Sequence, residues 1–239
     1  MINNEEKKFF RGWVYATLGN YHRNLDPNWL YTPTYLKKMK YVQNFLYTLP
    51  KDVRILDVGC GEGVLVEEYR KRGYDISGVD LNYESEYVSL GNVLNLQYPD
   101  DSFDVILMLD IFEHLRLEDQ SKALSEIKRV LRPKGNLLIS IPNLAHLYCR
   151  FRLFFQGRLF RTGSEPDHQG ERPMKENVRL LRDAGFRILK TKGVTLTLPI
   201  IYRIICHWPA RFRWLHDILD IFALPSISFL NIFLCENDK

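Results

Sequence analysis

The chain has 239 residues, 46% of them apolar and 26% charged, with a formal net charge of +4. That length suits one α/β domain with added elements and is short for two full domains. Cys60, Cys149, Cys206 and Cys235 are scattered without C-x-x-C spacing, and no apolar run reaches the length of a membrane span. Residues 1–11 are polar and charged rather than signal-like, so a reduced, cytoplasmic chain is the expectation.

Residues 1–34 are rich in aromatics (Phe9, Phe10, Trp13, Tyr15, Tyr21, Trp29, Tyr31) and predict either a helical lid over a ligand or a helix on the sheet edge. A first helix is expected over 35–49, ended by Pro50. Strands are expected at 53–58, 75–79, 87–90, 103–109, 136–141, 186–192 and 229–236. A helix over 62–72 carries Val64, Leu65 and Tyr69, with Gly73 as its cap. The next, over 118–131, lines up Ala123, Leu124, Ile127, Val130 and Leu131, and Pro133 with Gly135 stops it. Met174, Val178 and Leu181 mark another over 174–184, before Gly185. Strands alternating with helices predict a doubly wound α/β sheet. The expected organisation is a single domain, 1–239, with a core at 35–192 and a helical insertion at 193–228 before the last strand.

The most specific segment is Ile55-Leu56-Asp57-Val58-Gly59-Cys60-Gly61-Glu62-Gly63. An apolar strand running into alternating glycines allows positive φ and lets a ligand lie close to the backbone, as a nucleoside-like cofactor would. The spacing is G-x-G-x-G with an acid two residues earlier, not the G-x-G-x-x-G of dinucleotide folds. A carboxylate there repels a pyrophosphate and attracts an amino group or a sulfonium. The second strand ends at Asp80, whose two oxygens can accept from both hydroxyls of a ribose.

With ILDVGCGEG at 55–63, GVD at 78–80, FDVILMLDIFEHL at 103–115 and EIKRVLRPKGNLLISIPN at 126–143, the chain resembles the class I S-adenosylmethionine-dependent methyltransferases over about residues 50–192. The resemblance implies a Rossmann-like seven-stranded sheet in the order 3-2-1-4-5-7-6 with the last strand antiparallel. It implies S-adenosylmethionine as cofactor, its methionine part on the first loop and its ribose on Asp80. Asn92 stands at the position that meets the adenine, where relatives often have Asp. Cofactor contacts are therefore expected from Asp57, Gly59, Cys60, Gly61, Asp80, Leu81, Asn92, Val93 and Leu109. Cys60 is expected to serve by its small side chain and backbone rather than as a nucleophile.

Methyl transfer from a sulfonium is an in-line displacement, so the protein mainly positions the nucleophile and removes a proton where needed. His114 and His146 are the candidate bases, and His168 lies in a polar loop that can close over the substrate. Asp110, Glu113 and His114 have D-x-x-E-H spacing, similar to the E-x-x-E-H of some quinone and RNA-end O-methyltransferases that use a divalent ion. The shorter Asp weakens that match and a further ligand cannot be placed from the sequence, so no metal ligands are assigned and the use of a divalent ion stays open. Residues 141–215 hold fourteen Lys or Arg against five Asp or Glu, a net of about +9, leaving about −5 for the remainder. The basic-aromatic segments 147–161 and 196–224 suit either peripheral contact with an anionic membrane or a solvated basic face. The ending SIPN and the aromatic-basic helix after it resemble the small-molecule, quinone and lipid-pathway methyltransferases. The acceptor is thus expected to be a small molecule or lipid-linked, methylated at oxygen, with no nucleic-acid partner. The alternative is a non-catalytic cofactor-binding scaffold. A Rossmann oxidoreductase is disfavoured by the loop spacing.

Overall fold

The computed structural model describes residues 31–159, 168–199, 201 and 211–239. The aromatic stretch before Tyr31, Cys206 and parts of both basic-aromatic segments lie outside the described residues.

The described elements, in chain order, are α1 (Thr32–Tyr47), β1 (Ile55–Val58), α2 (Val64–Lys71), β2 (Ile76–Asp80), β3 (Val88–Leu90) and β4 (Phe103–Leu109). A 3-10 turn at Phe112–His114 leads to α3 (Gln120–Val130), β5 (Leu131–Pro142), α4 (Leu147–Gln156), α5 (Met174–Asp183) and β6 (Phe186–Leu196). The chain then forms α6 (Arg213–Leu219), a 3-10 turn at Asp220–Phe222 and β7 (Ser228–Asn237). All seven strands make one sheet in the order β3-β2-β1-β4-β5-β7-β6. Pairings from β3 through β5 are parallel, while β7 runs antiparallel to both β5 and β6. This is the expected topology.

Helices cover both faces, which is why the central strands read as unbroken apolar runs. In β4 the side chains alternate between two cores: Ile106 and Met108 join Leu56, Leu124, Ile127 and Leu181 on one face. Val105 and Leu107 join Val42, Leu46, Val66 and Tyr69 on the other. Each such fully buried aliphatic side chain contributes about 1.5–3 kcal/mol. A third, smaller cluster forms where Leu219 and Ala223 meet Leu196, with Leu147 packed against them.

Several boundaries differ from the sequence-based expectation. α1 starts three residues early because Pro33, lacking an N–H, is well placed in the first turn. β5 begins at Leu131, which pairs with Phe103; the register then shifts so that Asn136 faces Val105. The Pro133-Lys134-Gly135 stretch, with Lys134 at φ 62, is therefore an irregularity within the strand rather than a separate turn before it. β6 continues to Leu196 because Gly193, Val194 and Leu196 find partners in Asn231, Leu230 and Ser228. Residues 193–196 thus belong to the sheet and not to the helical segment that follows. Among the described residues no helix is long and apolar enough to cross a membrane.

Candidate active site

The C-terminal ends of β1, β2, β3 and β4 are neighbours in the sheet, and the motif residues gather along this one edge. Gly59 ends β1 with φ 70, and a Cβ there would come within 2.3 Å of Ile111 Cδ1. Any other residue would combine left-handed strain with a clash. Gly61 also has positive φ, at 56, yet a Cβ on it would meet no atom within 4 Å. The backbone at Gly61 is therefore open, as a ligand-bearing loop requires. Its N–H donates to Asp80 Oδ2 at 2.8 Å, and the Asn82 N–H donates to Asp80 Oδ1 at 2.8 Å. Asp80 so ties the two loops together, and each oxygen keeps a second lone pair for a further donor. The Cys60 thiol is driven far above its usual range by burial, with Asp57 and Asp80 adding to the effect. It is inert as a nucleophile.

Asp57 is buried, which pushes its carboxyl up to about 7; Lys38 opposes the rise and Asp80 adds to it. Leu81 is 55% exposed beside Asp80, and Leu109 is half-buried at the end of β4. The Gly91 N–H donates to the Asp80 carbonyl at 2.9 Å, which brings the loop after β3 to the same edge. Asn92 Oδ1 accepts the Leu94 N–H at 2.9 Å, and Val93 packs partly on the core.

Two further residues reach this edge from the α1 region. Lys38 is only 3% exposed, and its Nζ donates to Asp110 Oδ2 at 2.5 Å. The Tyr31 hydroxyl donates to the same oxygen at 2.6 Å, and Ser140 Oγ donates to Oδ1. Asp110 holds φ 55, an unusual backbone for a non-glycine residue. Burial pushes its carboxyl up, but the Lys38 charge and the hydrogen bonds from Lys38, Ser140 and Tyr31 outweigh that and hold it below the usual range. Sequence reading missed Lys38. The available signal was its place on the buried stripe of α1, in line with Tyr35, Val42 and Leu46.

The candidate bases differ in setting. His146 is buried, with Nδ1 2.7 Å from Thr197 Oγ1 and Nε2 3.1 Å from Cys149 Sγ. Burial, helped by Arg150, lowers its pKa to about 4. Both ring nitrogens are thus engaged, which suits His146 to fastening α4 to β6 rather than to accepting a substrate proton. His114 closes the 3-10 turn after β4 and faces His168 edge-on, the ring centroids 4.7 Å apart. His168 is buried and not a solvated loop residue; its Nδ1 lies 2.7 Å from Glu171 Oε1. The Gly170 N–H donates to the Glu113 carbonyl at 2.9 Å, fastening the 168–171 loop to that turn.

Residues 30–191 match a family model described as a methyltransferase domain. The chain belongs to this methyltransferase family. It is similar to a probable S-adenosylmethionine-dependent methyltransferase of Mycolicibacterium smegmatis, with 35% identity over 150 residues that cover 59% of this chain and 54% of the relative. A ubiquinone biosynthesis O-methyltransferase of Paraburkholderia phymatum is 27% identical over 195 residues, covering 73% of this chain and 82% of the relative. Thus the match spans about half the length of the mycobacterial relative and most of the other. The fold is shared with a crystal structure of an S-adenosylmethionine-dependent methyltransferase from Archaeoglobus fulgidus, at a TM-score of 0.60 and 18% identity over 93% of this chain and 99% of that one.

The family's cofactor is S-adenosylmethionine, and the methyltransferase edge suits it chemically. The backbone is open at Gly61, two carboxylates stand beside it, and no Lys or Arg hydrogen bond to Asp80 occurs among the described residues.

Proposed function

We propose that this methyltransferase alkylates an oxygen of a small-molecule or lipid-linked acceptor, working from the cytoplasm and in part at a membrane surface. The observation that carries the reading is the open Gly61 backbone, bonded to Asp80, with Asp57 acting on the neighbouring Cys60. S-adenosylmethionine, when bound, supplies a methyl group on a sulfonium. Asp80 accepts the ribose hydroxyls and Asp57 provides the negative charge that favours the amino and sulfonium end. Gly59, Cys60 and Gly61 offer backbone, while Asn92, with Leu81 and Val93 flanking, meets the adenine edge. Leu109 forms part of the wall. Lys38 holds Asp110 in place at the mouth of β4.

Two features support the acceptor side. One relative of this length class is a ubiquinone biosynthesis O-methyltransferase, although at low identity. The other is α4, on which Phe154 is 81% and Phe155 66% exposed alongside Phe151 and Leu153, with Arg150, Arg152 and Arg158 nearby in the chain. Trp214, Ile218, Ile221 and Phe222 are exposed on and after α6, which meets the same small cluster as the start of α4. Apolar rings interleaved with guanidinium groups suit an anionic lipid surface or an amphiphilic acceptor.

The test is binding followed by turnover. Calorimetry is expected to give one site for S-adenosylmethionine or its demethylated product, and labelled cofactor is expected to pass its methyl to a phenolic or polyprenyl-linked hydroxyl, more strongly with anionic liposomes present. Binding without transfer to any acceptor in such a screen would leave a cofactor-binding scaffold instead.

A further inference from the structure

We infer that Lys37 is a positioning residue that couples the cofactor edge to α6, so that filling the cofactor site fixes the wall on the acceptor side. Lys37 and Lys38 are consecutive on α1 yet reach different parts of the molecule. The Lys38 Nζ lies 2.5 Å from Asp110 Oδ2, just after β4. The Lys37 Nζ lies 2.8 Å from Asp220 Oδ2 and 3.4 Å from Asp217 Oδ1, in the 3-10 turn after α6 and in α6 itself. The Lys37 and Asp220 side chains are only 20% and 18% exposed, so salt screens this pair less than a surface one.

α1 is held differently along its length. Its second half packs through Val42 and Leu46 into the core that holds Val66 and Tyr69. The first two turns bury Thr32, Thr34, Tyr35 and Lys38 instead. They are fastened by polar contacts: the Tyr31 hydroxyl donates to Asp110 Oδ2 at 2.6 Å, and the Thr34 and Thr195 hydroxyls share a hydrogen bond at 2.7 Å. Both residues held in this way are strained, Asp110 at φ 55 and the β-branched Thr195 at φ 62. Such conformations persist only where the surroundings enforce them. The start of α1 thus keeps two strained strand ends in place through a few point contacts, the kind of region that opens locally.

Charge makes this docking sensitive to the cofactor. Asp57 and Asp80 are buried at the edge and Asp110 is half-buried, while Lys38 is the one buried Lys or Arg among the described residues. On the placement proposed above, the amino and sulfonium end of the cofactor lies beside Asp57. That charge offsets the excess of acid that Lys38 otherwise meets alone, and so favours the docked arrangement. Residues 37 and 38 sit on one rigid helix, about 1.5 Å apart along its axis and about 100° apart around it, so seating Lys38 also seats Lys37. α6 and its turn meet the sheet through the small cluster of Leu219 and Ala223 with Leu196, which makes one shielded ion pair a large share of their support. That the exposed Trp214, Ile218, Ile221 and Phe222 then face an acceptor rests on the methyl-transfer reading, whereas the coupling itself does not.

The test is amide hydrogen exchange of the full chain, read at residues 213–222 with and without S-adenosylhomocysteine, the demethylated product. Calorimetry on the same samples establishes that the site is filled. Exchange there is expected to slow at least about fivefold on binding, the low end for coupling between two sites. Lys37→Met is expected to abolish that slowing while S-adenosylhomocysteine still binds, and Lys37→Arg, which keeps the cation, to retain it. A merely structural lysine would instead raise exchange equally with and without the ligand. Circular dichroism verifies that each variant is folded, and Asp217→Asn with Asp220→Asn breaks the same link from the other side if Lys37→Met does not fold. Exchange at 213–222 that is unchanged by bound S-adenosylhomocysteine, or slowing that survives loss of the ion pair, overturns the coupling. Because no acceptor enters the measurement, either result stands apart from the outcome of the methyl-transfer screen.

Discussion

The cofactor edge and the C-terminal basic region are built on opposite principles. At the edge, the groups that matter are backbone amides in a tight turn and carboxylates at strand ends: Gly59 and Gly61 beside Asp57 and Asp80, with Asp80 bonded to the Gly61 N–H. On α4 and around α6 they are exposed aromatic rings and arginines, on helices tied to the rest by a small apolar cluster and by polar contacts such as His146 with Thr197 and Lys37 with Asp220. A nucleoside has the same shape in every reaction, so its site can be made rigid and local. An acceptor surface must match one particular molecule, and side chains projecting from a helix change without disturbing the sheet.

Substitutions at the edge are therefore expected to damage folding and cofactor binding together, while those on the helices spare the fold. The largest effect is expected from Lys38→Met. It leaves the half-buried Asp110 carboxylate without its cation, and the loss in urea unfolding is expected at about 3 kcal/mol, the low end for breaking a buried pair. Gly59→Val comes next. Left-handed strain of roughly 1–2 kcal/mol combines with the overlap on Ile111, and calorimetry should detect no cofactor binding. Asp80→Ala removes the charge-assisted hydrogen bonds from the Gly61 and Asn82 N–H groups, each worth about 1.5–3 kcal/mol, so urea stability should fall together with affinity for S-adenosylmethionine, the latter roughly ten- to a hundredfold.

Asp57 gives the edge a pH signature. Its folded pKa of about 7 lies above its ordinary value of 3.8, so between these limits the folded state holds the extra proton. Its stability contribution is greatest below pH 4 and is lost as pH rises towards 7. His146, with its pKa lowered to about 4, contributes in the opposite sense over pH 4 to 6.5. Asp57→Asn is expected to remove the first slope only, so wild-type and variant stabilities should converge at pH 5 relative to their separation at pH 7.5, the variant being the more stable at the higher pH. The smallest stability effect belongs to Phe154→Ser with Phe155→Ser: within about 0.5 kcal/mol of wild type in unfolding, but with reduced flotation on anionic liposomes. Unchanged flotation would erase the contrast between the two regions.

The parts of the molecule that could be read beforehand share a short range. The alternation of strands and helices follows from the apolar segments, the strand order was implied by the family resemblance, and Asp80 could be paired with the glycine loop because each ends a strand of one βαβ unit. Lys38 resisted such reading, since a lysine on an amphipathic helix is ordinarily solvated, and its partner lies 72 residues away. His146 looked available for chemistry because nothing nearby in sequence announces Thr197 as its partner, 51 residues on. The extension of β6 to Leu196 likewise depends on β7, which the chain reaches only after α6.

By itself the sequence determined the methyl-donor loop, the alternation of strands with helices and the imbalance of charge between residues 141–215 and the remainder. These depend on backbone conformations and apolar periodicities that a few adjacent residues dictate. Only the tertiary structure decided that Lys38 is buried against Asp110, that His146 is already occupied, and that His168 stands over Glu113 and His114. Each of those arrangements joins side chains from separate crossovers of the sheet, and their energies come from burial and charge that no local spacing encodes.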